Sequence, residues 1–194
     1  MGQYYYPTIL RQKGKRFYSE QYYSWDFNNG LKLMEHSYIG NEFVKAVISQ
    51  LFNRPGRLAW MGDYHEAGDI THADLDKAFR THYAKYHTRE ESTDKPFSKP
   101  TGSTKTGRFI LNHDRHEYID MRVYSDKAPA DSWGCKIHPL PLLTAVGNGR
   151  GGGDYWGVDQ DRVGSWAGDL IETQDAKPNG YLDITDLIEF KESY

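Results

Sequence analysis

The first forty residues combine β-type hydrophobic patterning with clear turn signals. Residues 4–10 and 17–23 are rich in aromatic and β-branched side chains and flank a Lys-Gly-Lys turn, a pattern typical of a β-hairpin. Residues 31–37 follow an Asn-Asn-Gly turn and predict a short strand. Glu35 or His36 would then point into the fold, where a polar side chain is more often a hydrogen-bonded core group than a catalyst.

Helical spacing begins directly after this segment. Apolar side chains recur every three or four positions across residues 43–52, which predicts an amphipathic helix capped by Gly40 or Asn41. An Arg-Pro-Gly sequence ends that pattern, and residues 57–61 predict a strand. We expect a second helix to start at Thr71, because apolar positions return at helical spacing beyond it.

The rest of the chain predicts hairpins beyond a polar loop. Residues 88–107 are poor in apolar groups, so burial there cannot offset the entropy of ordering, and we expect a mobile loop. Two hairpins are predicted after it. One pairs residues 109–111 with 118–123, and the other pairs residues 163–173 with 181–190.

The order of these elements predicts an α+β fold, with a mostly antiparallel sheet and two main helices packed against it, in a single domain spanning residues 1–194. The formal net charge of −3 disfavours nucleic acid as a partner. Cys135 is the sole cysteine, which favours a reducing compartment. No segment is long and apolar enough to span a bilayer, so we expect a cytoplasmic protein without a membrane partner.

A Trp-x-Gly-Asp tetrapeptide occurs twice, with its tryptophan at Trp60 and at Trp166. A tight turn beside a large anchoring side chain is the simplest explanation, so both indoles are expected to be buried and to flank the same core. The aspartates of the two motifs, Asp63 and Asp169, are expected to play mainly structural roles, because an aspartate in such a turn commonly accepts backbone hydrogen bonds.

The best candidate for ligand contact is a glycine-rich segment, residues 147–157, which holds six glycines. Backbone N–H groups without neighbouring Cβ atoms can turn towards a phosphate or carboxylate, and Arg150 adds a guanidinium. The spacing matches neither a P-loop nor a dinucleotide-binding pattern, so a flexible turn is the alternative. The predicted ligand-binding residues are Asn148, Gly149, Arg150, Gly151, Gly152, Asp154 and Tyr155.

A second candidate site combines carboxylates with imidazoles. Asp63, His65 and Glu66 lie close together in sequence, and His113 lies at the predicted tip of the middle hairpin. Such groups suit acid–base catalysis or a divalent metal, which stays open as a cofactor. The spacing fits no established zinc motif, and solvated loop charges explain the pattern equally well. These four residues are the candidate catalytic groups.

Several motifs resemble an uncharacterised group of bacterial and phage proteins. They are the opening Met-Gly-Gln-Tyr-Tyr, the Gly-Leu-Lys-Leu-Met-Glu of residues 30–35, and Trp60-x-Gly62-Asp63-Tyr64. The similarity is clearest over the first third of the chain. It implies a protein of a bacterium or its mobile elements, and it assigns no catalytic residues.

The abundance of amphipathic rings, with fifteen tyrosines and five tryptophans, favours recognition over catalysis. We therefore expect a cytoplasmic binding protein for a small anionic, nucleotide-like ligand or for a protein partner. Two alternatives stay open. One is a metal-assisted hydrolase or phosphotransfer enzyme, and the other is a structural or interaction component of a phage or mobile element.

Overall fold

The computed structural model describes residues 3–87, 105–147 and 155–192. Within these ranges the strands are β1 (Tyr5–Lys13), β2 (Arg16–Gln21), β3 (Gly56–Gly62), β4 (Phe109–Asn112), β5 (Glu117–Asp120), β6 (Ala145–Val146), β7 (Gly157–Val158), β8 (Leu170–Gln174), β9 (Leu182–Asp183) and β10 (Lys191–Glu192). The α-helices in the same ranges are α1 (Leu33–His36), α2 (Glu42–Ser49), α3 (Ala73–His87), α4 (Met121–Lys127) and α5 (Pro139–Leu143). The expected α+β class is confirmed.

One mixed, mostly antiparallel sheet organises the described part of the chain. Its strand order is β2-β1-β3-β8-β4-β5-β9, and β6 pairs in parallel with the end of β3. A separate two-stranded sheet joins β7 to β10. The hairpins β1–β2 and β4–β5 are antiparallel and local in sequence, as the turn signals predict.

The strand β1 is buried on both of its faces. Tyr5 and Ile9 point into the larger apolar core, while Tyr6 and Leu10 point into a second core on the opposite face of the sheet. This division follows from the alternation of side chains along a strand. The neighbouring strand β3 divides in the same way, and α2 covers the larger core while α3 covers the smaller one.

The helix α2 matches its prediction, including the capping residue. Asn41 Oδ1 accepts hydrogen bonds from the backbone N–H groups of Phe43 (2.9 Å) and Val44 (3.3 Å), which satisfies two donors of the first turn. The apolar face of the helix is buried in the larger core. Its amphipathic spacing and its cap therefore agree, as expected for a helix that sequence reasoning can locate.

The strand predicted over residues 31–37 is wrong, because the chain forms the short helix α1 there. Glu35 folds back so that its carboxylate accepts a hydrogen bond from Lys32 N at 3.0 Å. A Cβ atom at Gly30 would lie 2.0 Å from Glu35 Oε2, so this arrangement needs glycine at that position. A side chain that caps its own helix therefore outweighs the β propensity of neighbouring residues.

The predicted last hairpin is also wrong, since its two segments do not pair with each other. β8 lies between β3 and β4, with Gly56 opposite Ile171 and Ile110 opposite Thr173. Ile171 and Thr173 are both fully buried, as an interior strand requires. β9 instead pairs in parallel with β5. Long-range pairing of this kind leaves no local turn signal, so the turn between residues 173 and 181 does not indicate which strands pair.

Most of the loop predicted over residues 88–107 lies outside the described residues, so its mobility stays a prediction. The described end of this segment is held at the surface. Lys105 forms an ion pair with Asp175 at 2.5 Å and lies over the ring of Phe52. A Cβ at Gly107 would lie 2.7 Å from Gln174 N, so the chain runs close to the last residue of β8.

The two tryptophans of the repeated motif are buried in the same apolar core, as predicted. Trp60 Nε1 donates a hydrogen bond to His36 Nε2 at 3.0 Å, and Trp166 Nε1 donates to Glu117 Oε2 at 3.0 Å. Each indole therefore combines a large apolar surface with one satisfied polar atom. The motif marks two anchors of one core.

We predict that Trp60→Ala and Trp166→Ala each lower the free energy of unfolding by about 3–5 kcal/mol, the usual cost of removing a buried large aromatic side chain. Trp133 is 88% exposed and provides the matched control. Trp133→Ala should change stability by less than about 0.5 kcal/mol. Urea titrations followed by circular dichroism measure all three. Equal effects of the buried and exposed substitutions would contradict the shared-core assignment.

Candidate functional site

The loop after the first Trp-x-Gly-Asp is held by short-range contacts. Asp63 Oδ1 accepts a hydrogen bond from Tyr4 N at 3.0 Å, so this carboxylate fastens the start of the chain to the end of β3. His65 Nδ1 lies 2.7 Å from the carbonyl oxygen of Gly62, and its ring packs edge-on against Tyr83. Glu66 donates its backbone N–H to the side chain of Asp69 and leaves its own carboxylate exposed.

The second motif lies in a denser polar network at the tip of the β4–β5 hairpin. Asp169 Oδ2 accepts hydrogen bonds from Asn112 Nδ2 and from Arg115 Nε, both at 2.8 Å. Arg57 pairs with Asp114 Oδ2 at 2.7 Å, and this pairing holds the pKa of Asp114 below its usual value although partial burial acts to raise it. Both aspartates fasten the hairpin tip to the sheet, which agrees with the structural role expected for Asp169.

His113 is placed between a carboxylate and a phenol. Its Nε2 lies 2.8 Å from Glu172 Oε2, and its Nδ1 lies 2.7 Å from the hydroxyl of Tyr181. When the imidazole is neutral, Nε2–H donates to the carboxylate and Nδ1 accepts from the phenol. This order of groups orients an imidazole as a general base, and it also joins β8 to the residue before β9.

The four candidate catalytic residues fall into two separate sets. The described contacts of Asp63, His65 and Glu66 are with the end of β3 and the loop after it, with Tyr4 and with Tyr83 of α3, whereas the side chain of His113 contacts Glu172 of β8 and Tyr181. Among the described residues, no group of three or more histidine, cysteine or acidic side chains is arranged to hold a metal ion.

The predicted anion-binding segment falls largely outside the described residues. Asn148, Gly149, Arg150, Gly151, Gly152 and Asp154 lie there, so their roles stay predictions. Tyr155 is described and fully buried, and its ring packs against Phe190. Its hydroxyl donates to the carbonyl oxygen of Val158 and accepts from Lys191 N at 3.2 Å. Tyr155 thus ties together β7 and β10.

A pocket of about 420 Å³ lies beside Gly147, the last described residue before this segment. Its described lining combines three glycines with the acidic residues Asp69 and Asp161 and the hydroxyl-bearing residues Thr71 and Ser165. These walls are polar and acidic. The two carboxylates therefore act against the binding of an anion at this place.

An apolar pocket of about 240 Å³ lies between α2, the start of β4 and α4. Its apolar lining comes from one side chain of the α1–α2 connection, two of α2, one of β4 and one of α4. These are Ile39, Val44, Ile48, Ile110 and Met121. His138 also lines the pocket and contributes a polar group to these apolar walls. Sequence analysis did not single out either the pocket or His138.

Local structure fixes the orientation of His138. Its backbone N–H donates to Ser37 O at 2.8 Å, and Ile39 N donates to Lys136 O at 2.8 Å, so the two chain segments form a short antiparallel contact. His138 is also the N-cap of α5, and its Nδ1 accepts a hydrogen bond from Leu140 N at 3.2 Å. Pro139 follows at the first helical position, where no N–H is needed.

Burial determines the protonation state of His138. It lowers the pKa of the imidazole to about 3, so the ring is neutral at physiological pH. Because Nδ1 accepts the capping hydrogen bond, the single ring proton lies on Nε2. Among the described residues this Nε2–H has no hydrogen-bond partner. His138 therefore adds an unused ring donor to the residues that line this largely apolar pocket.

His36 is a second buried neutral imidazole, with both nitrogens satisfied. Burial lowers its pKa to about 4, although the carbonyl of Gly30 and the charge of Glu35 act in the opposite direction. Nε2 accepts from Trp60, so Nδ1 carries the proton and donates to Gly30 O at 3.1 Å. This matches the core role expected for a polar residue at this position. Both ring nitrogens of His36 form hydrogen bonds, whereas only Nδ1 of His138 has a described partner.

The signal for His138 was present in the sequence but weak. A residue whose side chain accepts a hydrogen bond, followed by proline and apolar residues, is a helix-start pattern, yet histidine is not among the preferred caps. The lining residues come from three parts of the chain that are far apart in sequence. No local pattern could bring them together.

Comparisons with known proteins add no relative: no protein-family model matches the chain, and neither a search of curated proteins nor a search of solved structures finds a match. In the described part of the chain, no helix is long and apolar enough to cross a membrane.

We predict that stability falls as the pH is lowered from 7.5 to 5.0. The folded-state pKa values of His36 and His138 lie below the unfolded value, so the unfolded chain binds more protons in this range. Each should contribute about 2 kcal/mol to the loss at pH 5. Asp120, whose pKa is lowered by its hydrogen bond to Arg108, affects only more acidic solutions.

Urea titrations at the two pH values measure this effect. His138→Asn retains a capping acceptor and should reduce the pH dependence by about 2 kcal/mol. His116 is exposed, so His116→Asn is the matched control. A free energy of unfolding that is equal at pH 7.5 and pH 5.0 would refute the assignment of two buried neutral imidazoles.

Proposed function

We propose that this protein binds a small organic molecule in the apolar pocket between α2, β4 and α4. The observation that carries the proposal is a largely apolar pocket of about 240 Å³ that is lined by His138, a buried imidazole whose Nε2–H has no partner among the described residues. Concave, largely apolar sites with a few placed polar groups are the usual form of small-molecule sites. Binding of a small ligand is also the function expected from the sequence, but the proposed site is this pocket and not the glycine-rich segment of residues 147–157.

The volume limits the size of the ligand. Drug-sized ligands occupy cavities of about 300–1,000 Å³, whereas apolar cavities of about 150 Å³ accept a benzene ring. A cavity of about 240 Å³ therefore suits one ring with a short substituent, or an aliphatic chain of similar bulk. A whole nucleotide is too large for it.

The anionic ligand expected from the sequence concerns the glycine-rich segment and not this pocket. Contact of such a ligand with Arg150 and its glycine-rich neighbours stays a prediction, as do a protein partner, a cytoplasmic location and the bacterial or phage origin that the resemblance implies. The alternative of a hydrolase or phosphotransfer enzyme also stays a prediction. The chain of Glu172, His113 and Tyr181 is the described feature that favours it.

We predict that acetophenone and α-methylstyrene, two small ring compounds, bind the protein and shift the NMR signals of the methyl groups of Ile48, Ile110 and Met121. Ser125→Phe should abolish both interactions, because Ser125 lines the pocket and the larger side chain would fill it. Arg122→Phe places the same side chain on the exposed part of α4 and should leave binding unchanged.

Thermal melts confirm that both variants are folded before binding is compared. Binding that survives Ser125→Phe would place the probes elsewhere and remove the support for this pocket. If neither probe binds the unsubstituted protein at millimolar concentration, the proposal fails.

A further inference from the structure

We infer that the ligand of this pocket carries an uncharged hydrogen-bond acceptor, such as a ketone, aldehyde, ester or amide carbonyl, which accepts from His138 Nε2. The inference rests on the proposed function and names the chemical class that the site selects. It follows from the groups that the pocket offers and from those that are already committed to other partners.

The ring nitrogen of His138 that is left for a ligand, Nε2, can only donate. Nδ1 is occupied by the N–H of Leu140, so the tautomer is fixed with the proton on Nε2. His138 is more than nine-tenths buried, and an apolar ligand that covered Nε2 would leave this donor unpaired at a cost in free energy. A ligand atom that accepts this hydrogen bond removes that cost, whereas an apolar ligand leaves it in place.

The remaining polar side chains near the pocket are largely committed. Asn41 uses its Oδ1 to cap α2 and donates Nδ2 to Asn29 at 2.8 Å. Lys45 pairs with Glu42 at 2.8 Å, so the ammonium at this wall is already compensated. Thr106 and Ser125 lie in the lining and contain neutral hydroxyl groups. The described surroundings therefore provide no uncompensated charge.

This balance of charge disfavours ionic ligands. A carboxylate or phosphate would lose its hydration on entering apolar walls and would gain one hydrogen bond from a neutral imidazole, and the cation in the described lining, Lys45, is already paired. An ammonium would meet the Nε2–H, which is a donor, and the described lining of the pocket contains no carboxylate. A neutral carbonyl has a much smaller cost of desolvation and matches the donor. Neutral acceptors are therefore the class that fits best.

The test compares four ring compounds of similar size: acetophenone, α-methylstyrene, benzoate and benzylammonium. Acetophenone and α-methylstyrene have almost the same shape and differ in a C=O against a C=CH₂. Dissociation constants come from NMR titrations of the pocket methyl groups at pH 7.5. We expect acetophenone to bind about tenfold more tightly than α-methylstyrene, the effect of one buried hydrogen bond. Both ions should bind more weakly than acetophenone.

His138→Asn separates the hydrogen bond from the shape of the pocket. Asparagine keeps a capping acceptor for Leu140, but its side chain is shorter and lacks the Nε2–H. The preference for acetophenone should fall to about twofold or less, while α-methylstyrene should still bind. In the unsubstituted protein the ¹⁵N signal of Nε2 should shift with acetophenone and not with α-methylstyrene. This second measurement decides the matter if the variant does not fold.

The outcomes distinguish the two proposals. Equal binding of acetophenone and α-methylstyrene, or tighter binding of benzoate, overturns the inference about ligand class and leaves the small-molecule pocket standing. Binding of none of the four compounds overturns the proposed function, and the inference falls with it. A carbonyl preference that persists unchanged in a folded His138→Asn variant shows that another group is the donor, which also overturns the inference.

Discussion

The double-sided burial of β1 and β3 is the constraint on which the rest of the structure depends. Tyr5 and Trp60 point to one face of the sheet, while Tyr6 and Met61 point to the other. A strand pair of this kind cannot be stable in water unless both faces are covered. The positions of α2 on one side and α3 on the other follow from that requirement, as does the need for large side chains in both cores.

The apolar pocket is a consequence of how the larger core is closed. α2 packs on the sheet through Val44 and Ile48, and the segment around His138 reaches the same side through its pairing with residues 37–39. His138 must be present there as the cap of α5, which fixes its tautomer. The group that we propose as the ligand's hydrogen-bond donor is therefore held by the same contacts that hold the fold, and its orientation does not depend on a ligand.

Sequence reasoning located elements whose signals are local. The first hairpin follows from its aromatic and β-branched composition and its turn, and α2 follows from its helical spacing and the cap at Asn41. The burial of Trp60 and Trp166 follows from one repeated motif. The predictions from sequence were wrong where side-chain contacts or distant strands determine the structure. α1 depends on Glu35 folding back onto Lys32, and the place of β8 depends on strands more than fifty residues away. The pocket belongs to this second group.

The position of β8 has a consequence for how the chain is made. The hairpins β1–β2 and β4–β5 are complete early in synthesis, but the strand that joins them into one sheet is Leu170–Gln174. Until those residues leave the ribosome, β3 and β4 present unpaired edges in the cell, where open strand edges invite contact with other chains. A nascent chain that ends before Leu170 would contain both hairpins but not the strand that joins them. We therefore expect its open edges to need protection by chaperones until β8 is synthesised.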